Sequence, residues 1–387
     1  MILVVRWYKP AMKIIADENI AQVGEYFGNG GELKVMPGRA INADVVKDAD
    51  VLLVRSVTVV DQQLLRNSRC KFVGTATSGI DHIDTAWLAE NNIGLGWARG
   101  CNAESVVDYV FSTLASLSEK NHFDWRGLSY GIVGCGEVGC RLAIKLLGLQ
   151  CKVFIYDPFL DGSHQLASHF ADYNKVLEQD VITFHTPITS NLPWPTWHIM
   201  GASELNVFSP QSILINASRG AVVNNKALLA RLEKHPEQQV VLDAWEGEPD
   251  IILDLLKRVA IATPHIAGYS REGKLNGTRM VHAQFRNFFG IEESEKIEAF
   301  SQKILLEIEK SLPPLGQLNQ LIRQAYDVMR DHADMEKLLH ASNVGIEFDM
   351  LRKTYPVRQE FSAYSVRASG LGESLHNQAR ILGFTLV

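Results

Sequence analysis

Short apolar runs alternate with longer amphipathic stretches along most of the chain. MKIIADE (12–18), DVLLVRS (50–56) and KFVGTATSG (71–79) are β-branched or apolar and end in polar residues, the signature of strands. NADVVKDA and DQQLLRNS between them read as helix segments. Such alternation predicts a parallel sheet with helices on both faces. Ligands bind such sheets beyond the carboxyl ends of the strands, which makes Arg55, Ser56, Thr77, Ser78 and Gly79 candidate site residues.

Residues 102–118 carry a helical period (Val106, Val107, Val110, Phe111, Leu114, Leu117) behind an Asn cap, a helix long enough to join two lobes. A second alternating series begins at LSYGIVG (128–134) and runs through CKVFIYD, DVITFHTP, SILINASRG, VVLDAWEGEP and VAIATPHIAGY, six strands of a doubly wound nucleotide fold. After Gly290 the texture changes. Residues 291–345 are helix-rich and charged, with a PPLG break at 313–316, and residues 346–387 mix strand-like runs (EFSAYSVRA, ILGFTLV) with helical ones. The expected fold is α/β: two doubly wound parallel-sheet domains, a flavodoxin-like substrate lobe and a Rossmann lobe, plus a small C-terminal α+β domain. The expected boundaries are 12–104 with 270–290, 105–269, and 291–387.

Composition narrows the class. A chain of 387 residues exceeds one typical core, and 46% hydrophobic with 21% charged residues is ordinary for a globular protein. A formal charge of −6 argues against non-specific nucleic-acid binding. No apolar run reaches the roughly 20 residues that span a bilayer. Five cysteines without C-x-x-C spacing predict reduced thiols and a cytoplasmic location. The opening MILVVRWYKPA is too short and interrupted for a secretory segment, and the clean strand after Met12 marks residues 1–11 as an upstream extension.

The first chemical motif is YGIVGCGEVGCRL, with Gly134-x-Gly136-x-x-Gly139 between an apolar strand and a helical pattern. In that context the glycines allow a tight turn, close approach of a pyrophosphate, and helix–strand packing. The amides around Glu137 and Val138 then face the phosphates. Asp157 lies 18 residues past Gly139, at the end of the next strand. A carboxylate there accepts from both ribose hydroxyls and repels the extra phosphate of NADP, so the expected cofactor is NAD. The bland alternative is a turn aspartate before Pro158.

Three successive strand ends then supply Arg219 (INASRG), Glu248 (DAWEGEP) and His265 (TPHIAGY). Singly, each is more often structural. Together, behind a dinucleotide fingerprint, they suit oxidation of a 2-hydroxy acid. The histidine takes the hydroxyl proton, the carboxylate orients the ring and favours the imidazolium, and the arginine holds the substrate carboxylate and polarises the reacting oxygen. No metal ligand set is expected.

The ordered set VGTATSGIDHID, GIVGCGEVG, YDP, FHTP, INASRGAVV, DAWEGEP and TPHIAGY resembles the D-isomer-specific 2-hydroxyacid dehydrogenases. ADEN, LLVRSVT, ARGCNAESVVDYVF and EFDMLRKTYP resemble the branch that oxidises 4-phospho-D-erythronate on the way to pyridoxal phosphate, a likeness running from Met12 to near the C-terminus. The resemblance implies His265 as proton donor and acceptor, Glu248 behind it, and Arg219 as the carboxylate-binding arginine. It implies Ser56, Thr77 and Tyr269 as substrate contacts, Asp157, Thr186, Asp243 and Gly268 as NAD contacts, and a homodimer formed through the C-terminal domain. Arg99-Gly100 and Asn224 depart from the pattern, where Pro-Gly and Asp are expected. Residues 187–200, PITSNLPWPTWHIM, read as a rigid packing loop.

The tail raises a question of charge. A distal phosphate carries nearly two negative charges, and the substrate lobe offers only Arg55 nearby. Arg352, with Lys353 and Arg358, is therefore a candidate phosphate contact. Competing readings are another enzyme of this scaffold, such as a phosphoglycerate dehydrogenase, and a non-catalytic NAD-sensing scaffold.

Overall fold

The computed structural model describes residues 12–190, 193–292, 303–367, 369 and 372–387. The extension expected at residues 1–11 lies outside them, as do two residues of the 187–200 loop. The described residues form two compact units, one of residues 12–102 with 272–292 and the other of residues 103–271 with 303–387.

The first unit holds a five-stranded parallel sheet of β1 (Met12–Asp17), β2 (Gly31–Met36), β3 (Val51–Val54), β4 (Phe72–Thr75) and β5 (Gly94–Trp97), in the order β2-β1-β3-β4-β5. This is the flavodoxin-like order. The expected strands are β1, β3 and β4, whose runs are buried and apolar. The sequence reading missed β2 and β5. Both are edge strands, one largely exposed and the other written GLGW. The glycines of β4 and β5 make room for apolar side chains packed against the sheet. A Cβ on Gly74 would lie 2.4 Å from Val281, and one on Gly96 2.5 Å from the Phe72 ring. Short helices start on aspartate or asparagine caps, with Asn42, Asp61 and Asp84 accepting from the amides of Val45, Leu64 and Trp87. Each such cap stabilises its helix by about 1 kcal/mol.

The second unit holds all six expected strands: β6 (Ser129–Val133), β7 (Lys152–Tyr156), β8 (Val181–Phe184), β9 (Ile213–Asn216), β10 (Val240–Leu242) and β11 (Ile261–Ala262). They are parallel, in the order β11-β10-β9-β8-β6-β7. A single bridge from Ile155 to Phe170 flanks β7, where a Rossmann sheet carries its third strand. The strand order therefore reverses between β6 and β8, which puts the ligand-binding crevice at the glycine-rich turn.

The tail adds β12 (Ile304–Leu306), β13 (Tyr364–Val366) and β14 (Thr385–Leu386), a small parallel sheet, with helices Pro314–Ala325, Val328–Glu336, Val344–Lys353 and Glu373–Leu382. It packs into the second unit. Helix Ala103–Asn121 is buried nearly all round, from Ala103 to Ser118, because the tail covers the face that the sheet leaves open. Trp125 Nε1 donates to Asn319 at 2.9 Å, and Ser112 Oγ donates to the Tyr326 carbonyl at 2.7 Å. The edge strand β11 is covered as well, since the Ala262 amide donates to His332 Nδ1 at 3.2 Å. Phe348, Met335 and Leu338 of the tail share a core with Trp245 and Leu255. An exposed sheet edge and an apolar helix face are thus both covered by one extension.

Candidate active site

β6 ends at Val133 and the chain turns through Gly134, at φ +90°, into helix Glu137–Gly148. A Cβ on Gly134 would meet the His185 carbonyl at 2.7 Å, and one on Gly139 would meet the Gly134 carbonyl at 1.9 Å. Over Gly136 there is nothing within 4 Å, and as helix cap it supplies no side chain to the first-turn amides. The outer two glycines are therefore demanded by packing, while the middle one leaves an open amide cradle at a helix N-terminus, the ordinary seat of a pyrophosphate. Asp157 is held beside it, accepting from the Cys135 amide at 2.9 Å and the Phe159 amide at 3.1 Å. An open groove of about 440 Å³ alongside is lined by Tyr156, Asp157, Pro158, Phe170, Asp172 and Trp194.

Beyond β8, Thr186 Oγ1 is buried without a hydrogen-bond partner. A buried hydroxyl left unpaired at a strand's carboxyl end calls for a partner, and a bound ligand can supply it. Its neighbour His185 is wholly buried, and burial pushes its pKa down to about 3, so the ring is neutral and Nε2 pairs with Thr183 Oγ1 at 2.9 Å. Cradle, carboxylate and orphaned hydroxyl together fit a dinucleotide without a 2′-phosphate. Asp157→Ala should raise the kcat/KM ratio of NADP to NAD by about tenfold or more, read from initial rates with each cofactor. An unchanged ratio would remove Asp157 from that role.

The turn after β9 presents Arg219. Asn216 shapes it, donating to the Arg219 carbonyl at 3.0 Å and accepting from Ser218 Oγ at 2.8 Å. The half-buried Arg219 side chain donates to the Ser218 carbonyl at 2.9 Å. A Cβ on Gly220 would fall 2.0 Å from the Trp245 backbone, so the turns after β9 and β10 run in contact. Asn224, where Asp was expected, caps helix Asn225–Lys234 by accepting from the Ala227 amide at 3.0 Å, work that either residue does.

Glu248 and His265 meet in this unit. Glu248 Oε2 accepts from the Trp245 amide at 3.1 Å, and Oε1 lies 2.5 Å from His265 Nδ1. The carboxylate therefore accepts a hydrogen bond from Nδ1–H and leaves Nε2 as the ring nitrogen free for proton transfer. Burial alone would raise the Glu248 pKa. The His265 charge and bond, the Trp245 amide and Arg352 outweigh it and hold the carboxyl below its ordinary value. Because the folded value is depressed, this contribution to stability is present above the unfolded carboxylate pKa and is lost as pH falls through the folded one.

His265 has φ +56°, which is uncommon for a residue with a side chain. Asp243, expected as a cofactor contact, is 1% exposed and holds this turn. Its carboxylate accepts from Thr263 Oγ1 and the Ile266 amide, both at 2.7 Å, and from the Ala267 amide at 2.9 Å. The His265 amide donates to the Asp243 carbonyl at 2.8 Å. Asn216 and Asp243 are thus positioning residues. The first was missed, although an asparagine closing a buried strand is a visible signal.

Helix Val344–Lys353 brings the tail motif to the same place. Gly345 rides over the residues after Glu248, where a Cβ would lie 2.6 Å from Asp250 Oδ1. Seven residues on, Arg352 donates to the Tyr269 hydroxyl at 3.2 Å, while its Nε is buried without a partner. Burial would lower the Arg352 pKa, but Tyr269 and Glu248 outweigh it, and the guanidinium stays charged. Lys353 is exposed at the end of the helix.

Arg358 corrects the expected phosphate cluster. It is 7% exposed, bonded to the Ala267 carbonyl and to Ser105, and its guanidinium carbon lies 4.2 Å from the Tyr326 ring centroid. In sequence it looks like part of a basic patch, but Tyr326, Tyr355 and Asp331 build a buried seat for it, with both tyrosines donating to Asp331. Arg358→Met should destabilise the fold by about 3 kcal/mol or more in denaturant unfolding, because the Ala267 carbonyl would lose its donor and the buried Asp331 the positive charge near it. A change under about 0.5 kcal/mol, the usual scale of a surface substitution, would contradict this seating.

In the first unit, Arg55 and Ser56 follow β3 and Thr77, Ser78 and Gly79 follow the adjacent β4, so all five share one sheet edge. Thr77 Oγ1 bonds Thr75 Oγ1 at 2.7 Å and the Gly79 carbonyl at 2.9 Å, and Ser78 Oγ accepts from the Gly100 amide at 3.1 Å. Arg99, the other departure from the expected pattern, lies over the Trp97 ring. In the second unit, the described part of the 187–200 loop is tied by Thr196 and Trp197 amides donating to the Thr189 carbonyl.

The family model for the D-isomer specific 2-hydroxyacid dehydrogenase NAD binding domain matches residues 110–267, and one for a domain of unknown function matches residues 304–383. The erythronate-4-phosphate dehydrogenase of Cellvibrio japonicus is 43% identical over 97% of this chain and 100% of its own. That of Edwardsiella ictaluri is 45% identical over 92% of this chain and 94% of its own. Among solved structures, D-lactate dehydrogenase from Aquifex aeolicus is similar at TM-score 0.59 and 22% identity, covering 72% of this chain and 96% of that one. The 3-phosphoglycerate dehydrogenase of Entamoeba histolytica is similar at TM-score 0.63 and 21% identity, with the same coverages. Identity above 40% along nearly the whole chain, joined to the dinucleotide cradle and the Glu248–His265 pair, makes this an NAD-dependent oxidoreductase that belongs to the erythronate-4-phosphate dehydrogenases, a branch of the D-isomer-specific 2-hydroxyacid dehydrogenases.

Proposed function

We propose that the chain oxidises 4-phospho-D-erythronate to (R)-3-hydroxy-2-oxo-4-phosphooxybutanoate, a cytoplasmic step toward pyridoxal 5′-phosphate. NAD, held by the Gly134–Gly139 turn and Asp157, would supply the acceptor for the hydride that leaves the hydroxyl-bearing carbon. His265 Nε2 takes the hydroxyl proton, and Glu248 fixes the ring and favours the imidazolium as it forms. Arg219 holds the carboxylate and polarises the oxygen at the reacting carbon. Ser56 and Thr77, with Arg55, Ser78 and Gly79 beside them, and Tyr269 are the further substrate contacts. Asp157, Thr186, Asp243, Gly268 and the amides of the Gly134–Gly139 turn serve the cofactor, Asp243 through the turn it holds.

The observation that carries the choice of substrate is Arg352, a tail residue with a buried, unpartnered Nε, held at Tyr269 near Glu248. Oxidation of an unphosphorylated hydroxy acid does not require a tail arginine beside His265 and Arg219. A phosphorylated one gives it a partner, since a phosphate offers several acceptor oxygens to an arginine fork. Residues 291–387 also serve, in this reading, as the dimerisation domain, a role favoured by the exposed Ile346, Met350 and Val357. Light scattering should give twice the chain mass.

The test of function is NADH formation by purified protein with NAD and either 4-phospho-D-erythronate or D-3-phosphoglycerate, with a keto-acid acceptor in parallel samples. Turnover selective for the phosphoerythronate is expected. Preference for phosphoglycerate would overturn the substrate, and NAD binding without turnover of either would overturn the enzyme.

A further inference from the structure

Three soft donors converge at the cofactor turn. Cys135 lies between the first two glycines, Cys140 is one turn into helix Glu137–Gly148, and His164 comes from the segment beyond Asp157. Their ligand atoms all lie within 4.8 Å of one another, the one His/Cys/Asp/Glu grouping of this kind among the described residues. We propose that Cys135, Cys140 and His164 form a binding site for a soft divalent metal ion, zinc above all.

Each donor is already held in place. The Cys135 amide is anchored on Asp157, and its side chain is buried. The His164 ring stacks on Phe170 with centroids 5.5 Å apart. Gln165 Nε2 donates to Cys140 Sγ at 3.6 Å, the kind of outer hydrogen bond that steadies a thiolate ligand. Two sulfurs and one imidazole are a zinc set, with water or a small anion as fourth ligand. Bonds of about 2.3 Å to sulfur and about 2.0 Å to nitrogen bring tetrahedral donors to about 3.8 Å apart, so the donors close by about 1 Å. That is within the reach of cysteine rotamers.

Without metal, burial and the neighbouring Cys140 push the Cys135 thiol up to about 12, so its sulfur carries a proton. Each thiol that binds exchanges its S–H bond for an S–metal bond and releases its proton to solvent, with no change of oxidation state. The Leu166 amide contact to His164 Nδ1, at 3.2 Å, is exchanged for the imidazole–metal bond. The result is a clip between the glycine turn and the segment after β7. Its stabilisation is free energy of binding to the folded chain.

The test uses the full reduced chain, stripped with chelator and titrated with Cd2+ to follow thiolate-to-metal charge-transfer absorption, then with Zn2+ by equilibrium dialysis. One metal per chain is expected, with a rise in Tm. Cys140→Ser/His164→Ala should lose the absorption band and at least a hundredfold in zinc affinity while keeping its far-UV circular dichroism. A Cys70→Ser chain, altered at a buried thiol in the other unit, should bind as before. Absence of the band in the unsubstituted chain, or undiminished binding by the double variant, would overturn the site.

Discussion

Replacing His265 with alanine is expected to lower kcat for the hydroxy acid by about two to four orders of magnitude, the usual worth of a positioned general base. NADH affinity should stay within a few fold. The expectation rests on the 2.5 Å contact between Glu248 and His265 Nδ1, which leaves Nε2 as the ring's outward nitrogen. The pH profile separates chemistry from packing. As base in oxidation the ring must start neutral, so the oxidation rate rises with pH while the rate of keto-acid reduction falls. Glu248 adds no competing step near neutrality, because its carboxyl is held below the ordinary range and stays charged. Removing the ring should flatten that limb in both directions. A variant that keeps the limb would take the proton away from His265.

Arg352→Ala is expected to raise KM for the phosphorylated acid by about ten- to a hundredfold, the span of one or two lost charge-assisted hydrogen bonds. The effect should be confined to substrate. Arg352 reaches Tyr269 from a helix whose start is packed over Asp250, so the substitution leaves the dinucleotide turn untouched and KM for NAD should not move. Arg352→Lys should recover only part of the loss, because a point charge replaces a planar fork.

The turns that carry the motifs were legible because each answers a backbone demand visible in one short stretch. Gly134 and Gly139 are glycines because a Cβ would strike a carbonyl, and Asp157 ends its strand where its carboxylate accepts from the Cys135 amide of the glycine-rich turn. The six strands of the second sheet were readable for a similar reason, being short buried runs that end in polar residues. β2 and β5 were not, since an exposed edge strand and a glycine-rich one lack the apolar signature.

The tail was half legible. EFDMLRK singled out Arg352, but Arg358, six residues on, carries the same chemistry in sequence and a different place in space. Only the fold brings Tyr326, Asp331 and Ala267 around it, residues spread over some ninety positions. Asp243 shows the same limit. Its place after a strand does not report that the Ile266 and Ala267 amides donate to its oxygens and so shape the turn that carries His265. Burial partners distant in sequence decide between a binding charge and a structural one, and no local pattern reports them.

The claim that Arg352 of the C-terminal extension reads the substrate phosphate is tested most directly by steady-state kinetics of Arg352→Ala. KM is measured for 4-phospho-D-erythronate and for unphosphorylated D-erythronate, with NAD saturating. The account predicts a KM raised about ten- to a hundredfold for the phosphorylated acid alone, with little change for the other. Equal effects on both acids, or none on either, would contradict it.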